Sequence, residues 1–135
     1  MSRSYVTWKA FYSVGCKELD HQHRVLLGII NDLYAAVDDE AEPQVILALL
    51  DRLAQYTLTH FEREEELMRQ IHFADYAAHK MIHDAMKAKT AQLRQNWKAT
   101  QGAEVLIYLK NWWVNHICGR DKEYAAVLAP MASSV

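Results

Sequence analysis

What most restricts the fold of this chain is a set of histidines that fall on the apolar seams of four separate helical patterns. From Glu18 to Val37, the residues Leu19, His23, Leu26, Ile30, Leu33 and Val37 recur at steps of four and three, which is one face of an amphipathic helix. Acidic residues interrupt the pattern over 38–42, and Pro43, whose missing N–H is no loss in a first turn, opens a second helix running to about Gln70. Its seam reads Ile46, Leu49, Leu53, Tyr56, His60, Glu64 and Leu67. A third stretch carries Tyr76, His79, His83, Met86, Thr90, Leu93 and Trp97 at the same spacing. After a break near Gly102, a fourth carries Val105, Leu109, Trp112 and His116 before Gly119 ends the regularity.

Short loops between helices of this length favour antiparallel neighbours, so the expected fold class is all-α: an antiparallel up-down-up-down four-helix bundle. Residues before Val14 read as an extended N-terminal arm, with Trp8, Phe11 and Tyr12 packing across the bundle. The 135 residues, 51% hydrophobic with only four glycines and two prolines, fit one helical domain over 1–135 with a core of its own.

A histidine on an apolar face is commonly a core residue satisfied by one hydrogen bond. Five of them and a glutamate are another matter, since each buried polar group left unpaired costs about 1–3 kcal/mol and the sum would rival the stability of a whole domain. His60 and Glu64 stand four apart, as do His79 and His83, so each pair projects from one helix face with about 5–6 Å between its members. His23 lies near the start of its helix, His60 and Glu64 near the end of the next, His79 and His83 near a start, His116 near an end. In an up-down-up-down bundle those positions share one level, and a shared metal site follows. Asp121 lies five residues past His116, off the face of a straight helix, but a bend at Gly119 would return its carboxylate inward.

The other candidates fail the same test. His21 lies about 200° around the helix from His23 and faces solvent, and His72 falls in a loop. Glu62, Glu65 and Glu66 leave the seam of Glu64 and read as a solvated face, and Cys118 sits on a different face from His116. Cys16 and Cys118 form no C-x-x-C pair and read as reduced thiols, although an antiparallel bundle could bring them near enough for a disulfide. A net charge of -2, with both signs spread along the chain, offers nucleic acid no basic stripe and membranes no polybasic arm. No leader-like or membrane-spanning apolar run is present, so a cytoplasmic location is expected.

The motifs D-H-Q-H at Asp20–His23, H-F-E-R-E-E at His60–Glu65, H-K-M-I-H at His79–His83 and H-I-C-G-R-D at His116–Asp121 resemble the hemerythrin signature in order and spacing, and W-x-x-F-Y-S-V-G at Trp8–Gly15 is similar to the arm of its bacterial members. The resemblance covers nearly the whole chain. It implies two iron ions joined by an oxo or hydroxo bridge, with His79, His83 and His116 on one, His23 and His60 on the other, and Glu64 and Asp121 bridging both. Dioxygen would bind as peroxide at the iron with the open position, the hydroxo bridge passing over its proton, so that the buried site gains no net charge and binding can reverse. Azide and similar small anions would compete there.

A reversible carrier, store or delivery protein is therefore the expected function rather than an enzyme, because a histidine-rich ligand set supports high-valent iron poorly. The alternatives are a di-iron peroxidase, oxidase or nitric-oxide handling enzyme, or an oxygen sensor acting through a separate partner. In one place the chain departs from the family: where hemerythrins commonly carry Trp-Leu ahead of the fourth-helix histidine, it has Trp112 and Trp113. By resemblance the pair lines the oxygen pocket; alternatively Trp113 covers the outside of the bundle.

Overall fold

The computed structural model describes residues 5–125. Four long helices form there, α1 (Lys17–Asp38), α2 (Pro43–Gln70), α3 (Tyr76–Gln95) and α4 (Gly102–Cys118), with short 3-10 turns at Ala10–Tyr12 and Ala99–Gln101. They make an all-α up-down-up-down bundle in which α1 packs on α2 and α4, and α2 packs also on α3. No helix among the described residues is long and apolar enough to cross a membrane.

The helix ends follow local chemistry. Glu18 and Asp20 place negative charge in the first turn of α1, where the aligned peptide dipoles favour it. Asp20 also accepts from the Ser13 hydroxyl at 2.5 Å and the Val14 N–H at 2.8 Å, fixing the arm to the helix start. The reversals after α1 and α2 use left-handed residues, Glu40 and His72, each with φ 53°. Gly102 starts α4 against α1, since a Cβ there would lie 2.8 Å from a Val37 methyl.

The buried stripe of α2 differs in part from the expected seam. Leu49, Tyr56 and Leu67 are only half-buried, whereas Leu50, Thr57, Phe61 and Met68 are enclosed. Because α2 lies between α1 and α3, it buries two adjoining rows, and a single seam captures only the row facing one neighbour. The arm departs as well. Val6 and Tyr12 are buried and Trp8 half-buried beneath the Arg24 guanidinium, but Phe11, expected to pack across the bundle, is 60% exposed. The side-chain amide of Asn31 secures the arm, its oxygen accepting from the N–H groups of Tyr5 and Val6 and its nitrogen donating to the Val6 carbonyl. Phe11 lies in the 3-10 turn Ala10–Tyr12, which buries Tyr12 and leaves the neighbouring ring outside.

Candidate metal centre

At one end of the bundle the four helices bring their histidines together. His23 comes from α1, His60 and Glu64 from α2, His79 and His83 from α3 and His116 from α4. The seventh group depends on a break in the backbone. At Gly119 the chain leaves the helix with φ -103° and ψ -80°, and a Cβ at this position would meet the Asn115 carbonyl at 2.9 Å. Residues 120–125 are again helical, and the turn delivers Asp121 and Tyr124 to the interior, both fully buried. None of the seven side chains is more than 4% exposed.

The two carboxylates divide the histidines. Glu64 Oε2 lies 2.6 Å from His60 Nε2 and 3.3 Å from His23 Nε2, while its Oε1 lies 3.3 Å from His79 Nε2 and 3.2 Å from His83 Nε2. Asp121 repeats the pattern: Oδ2 is 3.2 Å from His23, and Oδ1 is 3.2 Å from His79 and 3.1 Å from His116. Two overlapping ligand sets result, one of His79, His83 and His116 and one of His23 and His60, both containing Glu64 and Asp121.

Close approach here is not ordinary pairing. His60 Nε2, His79 Nε2, Glu64 Oε1 and both Asp121 oxygens lack hydrogen bonds of acceptable geometry despite their neighbours. Such buried atoms are costly unless something else satisfies them, and imidazole nitrogens with carboxylate oxygens aimed at common points are what a cation requires. The donor set fits a buried metal centre.

Two further side chains orient the ring of a histidine. His83 Nδ1 donates to Glu65 Oε2 at 2.8 Å, leaving Nε2 to face the centre 3.2 Å from His116 Nε2. His60 Nδ1 likewise donates to the Gln22 side-chain oxygen at 2.7 Å. Glu65 therefore does not belong to the solvated face assigned to it from sequence: it is 5% exposed, in the row Phe61, Glu65, Met68 that α2 presents toward α3. Its signal lay in that second row of apolar spacing. Gln22, one residue before His23, gave none. Glu62, Glu66, His21 and His72 are exposed, and Cys16 and Cys118 are free thiols.

The electrostatics follow from burial of opposite charges. Burial opposes protonation of His23 and His79, but Asp121 and Glu64 outweigh it and hold both up at about 9. Burial prevails at His60 and lowers its pKa despite Glu64. Burial opposes ionisation of both carboxylates, yet the surrounding histidines keep Glu64 and Asp121 below the usual carboxylate range. The Tyr124 phenol, its ring 5.7 Å from His79, is pushed well up by burial and by Asp121 and Glu64.

Aromatic rings close the site. Phe61 stacks on His83 with centroids 3.7 Å apart and planes 7° apart, and Trp112 stacks on His116 at 4.5 Å and 13°. Trp113 is fully buried, 6.1 Å from the His60 ring and 6.4 Å from that of His116, so it does not cover the outside of the bundle. Its indole N–H has no partner among the described residues.

A family model described as the hemerythrin HHE cation binding domain matches residues 14–128. A hemerythrin-like protein of Naegleria gruberi is 33% identical over 121 residues, 90% of this chain and 92% of its own length. A bacteriohemerythrin of Methylococcus capsulatus is 32% identical over 130 residues, 92% of this chain and 97% of its own. Among solved structures, wild-type hemerythrin superimposes with a TM-score of 0.83 at 30% identity, covering 93% of this chain and 98% of that one.

Proposed function

This chain belongs to the hemerythrin family, and on that premise we propose that its buried centre holds two iron ions and binds dioxygen reversibly. The observation that carries the reading is the division of each carboxylate between two histidine sets. His79, His83 and His116 would hold one ion and His23 and His60 the other, with Glu64 and Asp121 available to both. The second set has one histidine fewer, so the side of the centre lined by His23 and His60 would be the one with room for dioxygen. When bound, the iron pair supplies one electron from each ion to dioxygen and recovers both on release.

The protein's part is to hold and enclose. Glu65 and Gln22 fix the rings of His83 and His60 through their Nδ1 atoms, which sets the tautomer and presents Nε2 inward. Phe61, Trp113 and Tyr124, all fully buried, keep bulk water from the centre, which protects the ferrous ions from irreversible oxidation. Two carboxylates among five neutral imidazoles leave the loaded site with a modest positive charge rather than the anionic surroundings that favour cleavage of an oxygen–oxygen bond.

Replacing Glu65 tests the orienting role. In Glu65→Ala the Nδ1–H of His83 loses its acceptor, and metal affinity is expected to fall by about 10–100-fold with the fold retained. Competition with a chelator measures it, and an affinity equal to wild type would remove Glu65 from the account. The function itself is tested by exposing anaerobically reduced protein first to oxygen and then to argon. A visible band that grows and fades over repeated cycles, with one oxygen taken up per chain, is the expected result. Continuous oxygen consumption with added reductant would instead mark an enzyme.

A further inference from the structure

We propose that Thr57 and Trp113 form a hydrogen-bonding subsite beneath His60, which holds the outer atoms of a small anion of two or three atoms by donation from the Thr57 hydroxyl and the Trp113 indole N–H. It rests on the di-iron reading, because the anion is one that the two-histidine side of the centre receives.

One helical turn deeper into the bundle than the histidines, Leu26, Thr57, Met86 and Trp113 lie three residues from His23, His60, His83 and His116 and form one layer. None of the four is more than 1% exposed. Leu26 and Met86 are apolar. Thr57 Oγ1 and Trp113 Nε1 are not, and neither has a hydrogen-bond partner among the described residues. A core with no use for such groups bears their desolvation for nothing, since valine at position 57 would fill nearly the same volume without an unpaired hydroxyl.

The Thr57 hydroxyl has an outlet that it does not take. A helical threonine can return its hydroxyl to the carbonyl four residues earlier, as Thr59 does to Gln55 at 3.3 Å and Thr90 to Met86 at 2.9 Å. Thr57 makes no such bond. It precedes His60 by three residues and Phe61 by four, so it shares their face of α2. The Trp113 ring lies 6.1 Å from that of His60 and 5.5 Å from that of Phe61. Two unpaired donors therefore flank the same histidine, which belongs to the ligand set with one histidine fewer. An indole N–H only donates and a hydroxyl can donate, so a single guest that satisfies both is an acceptor. The enclosure of the layer keeps that guest small and apart from bulk water.

Azide is the probe, titrated into the oxidised, iron-loaded protein and followed by its visible spectrum. Thr57→Val keeps the shape and removes the hydroxyl. It should weaken azide by about tenfold, chiefly through faster release, while Thr57→Ser stays within a few-fold of wild type. Nitric oxide, neutral and a poor acceptor, should bind reduced wild type and reduced Thr57→Val alike. Thermal unfolding of the metal-free protein adds a readout without any ligand: Thr57→Val should melt no lower than wild type, because the hydroxyl it loses has no partner. A hydroxyl kept for folding would behave in the opposite way, with melting lowered by valine and azide affinity unmoved, and that pair of results overturns the subsite. Equal azide affinity in wild type and iron-loaded Thr57→Val overturns it whatever the melting. Should Thr57→Val lose iron, Thr57→Ala and Thr57→Ser decide by the same azide comparison. A wild-type protein that takes up no iron would sink the di-iron reading and the subsite together, whereas normal iron with an azide affinity indifferent to the hydroxyl sinks the subsite alone.

Discussion

Glu64→Ala is expected to lose iron from both positions and to unfold at a markedly lower temperature. Glu64 is fully buried and its two oxygens face opposite histidine sets, so one truncation removes a donor from each. It also strands positive charge. His23 and His79, held up at about 9 in part by this carboxylate, would remain buried with Asp121 as their main counter-charge. Breaking a buried ion pair from one side costs about 3–5 kcal/mol, and lost metal-binding energy adds to it because metal binding is coupled to folding. For a domain of this size the melting temperature should fall by on the order of 10–20 °C. His21→Ala and His72→Ala, at exposed positions, should match wild type in iron content and melting. Elemental analysis and thermal unfolding check both; a Glu64→Ala protein with full iron and unchanged melting would remove the shared carboxylate from the account.

Trp113→Leu is expected to open the site. The indole fills space beside Phe61, His60 and His116 and presents a buried N–H that no group among the described residues accepts. An unmet donor of that kind costs about 1–3 kcal/mol, which an accepting ligand or water at the centre would recover. Leucine removes both volume and donor. Azide and oxygen should therefore associate faster, on the order of tenfold or about 1.4 kcal/mol of barrier, and also leave faster for want of the hydrogen bond. Stability should drop by about 2–4 kcal/mol through the cavity left behind. Trp113→Phe separates the effects, since it keeps most of the volume and lacks the N–H: slow entry with faster release is expected. Equal association rates for wild type and Trp113→Leu would show that the residue does not gate the site.

Much of this architecture is readable before any coordinates, and the exceptions have physical causes. Histidines at His23, His60, His79, His83 and His116 are visible because a polar residue on an apolar seam is costly enough to need a reason. Asp121 is visible only through Gly119, whose lack of a side chain lets the backbone turn close against the Asn115 carbonyl. Glu65 is hidden because periodicity marks one seam, and α2, enclosed on two sides, buries two. Phe11 misleads for another reason: an aromatic residue in an arm reads as an anchor, but the 3-10 turn Ala10–Tyr12 buries Tyr12 and leaves the Phe11 ring outside. Tyr124 follows the break in the helical pattern, where spacing from His116 carries no information about direction.

The most direct measurement of the central claim is an anaerobic titration of the stripped protein with Fe(II), following bound iron and released protons together. In the metal-free protein at pH 7.5, His23 and His79, both held up at about 9, are mostly protonated and must lose those protons to bind iron. Affinity should accordingly rise with pH toward 9 and weaken below neutrality. A break at about two irons per chain, with at least two protons released at pH 7.5, those of His23 and His79 and a further one where water becomes the hydroxo bridge, is the predicted outcome. Saturation at a single iron, or uptake with no proton release, would contradict a centre built by His23, His60, Glu64, His79, His83, His116 and Asp121.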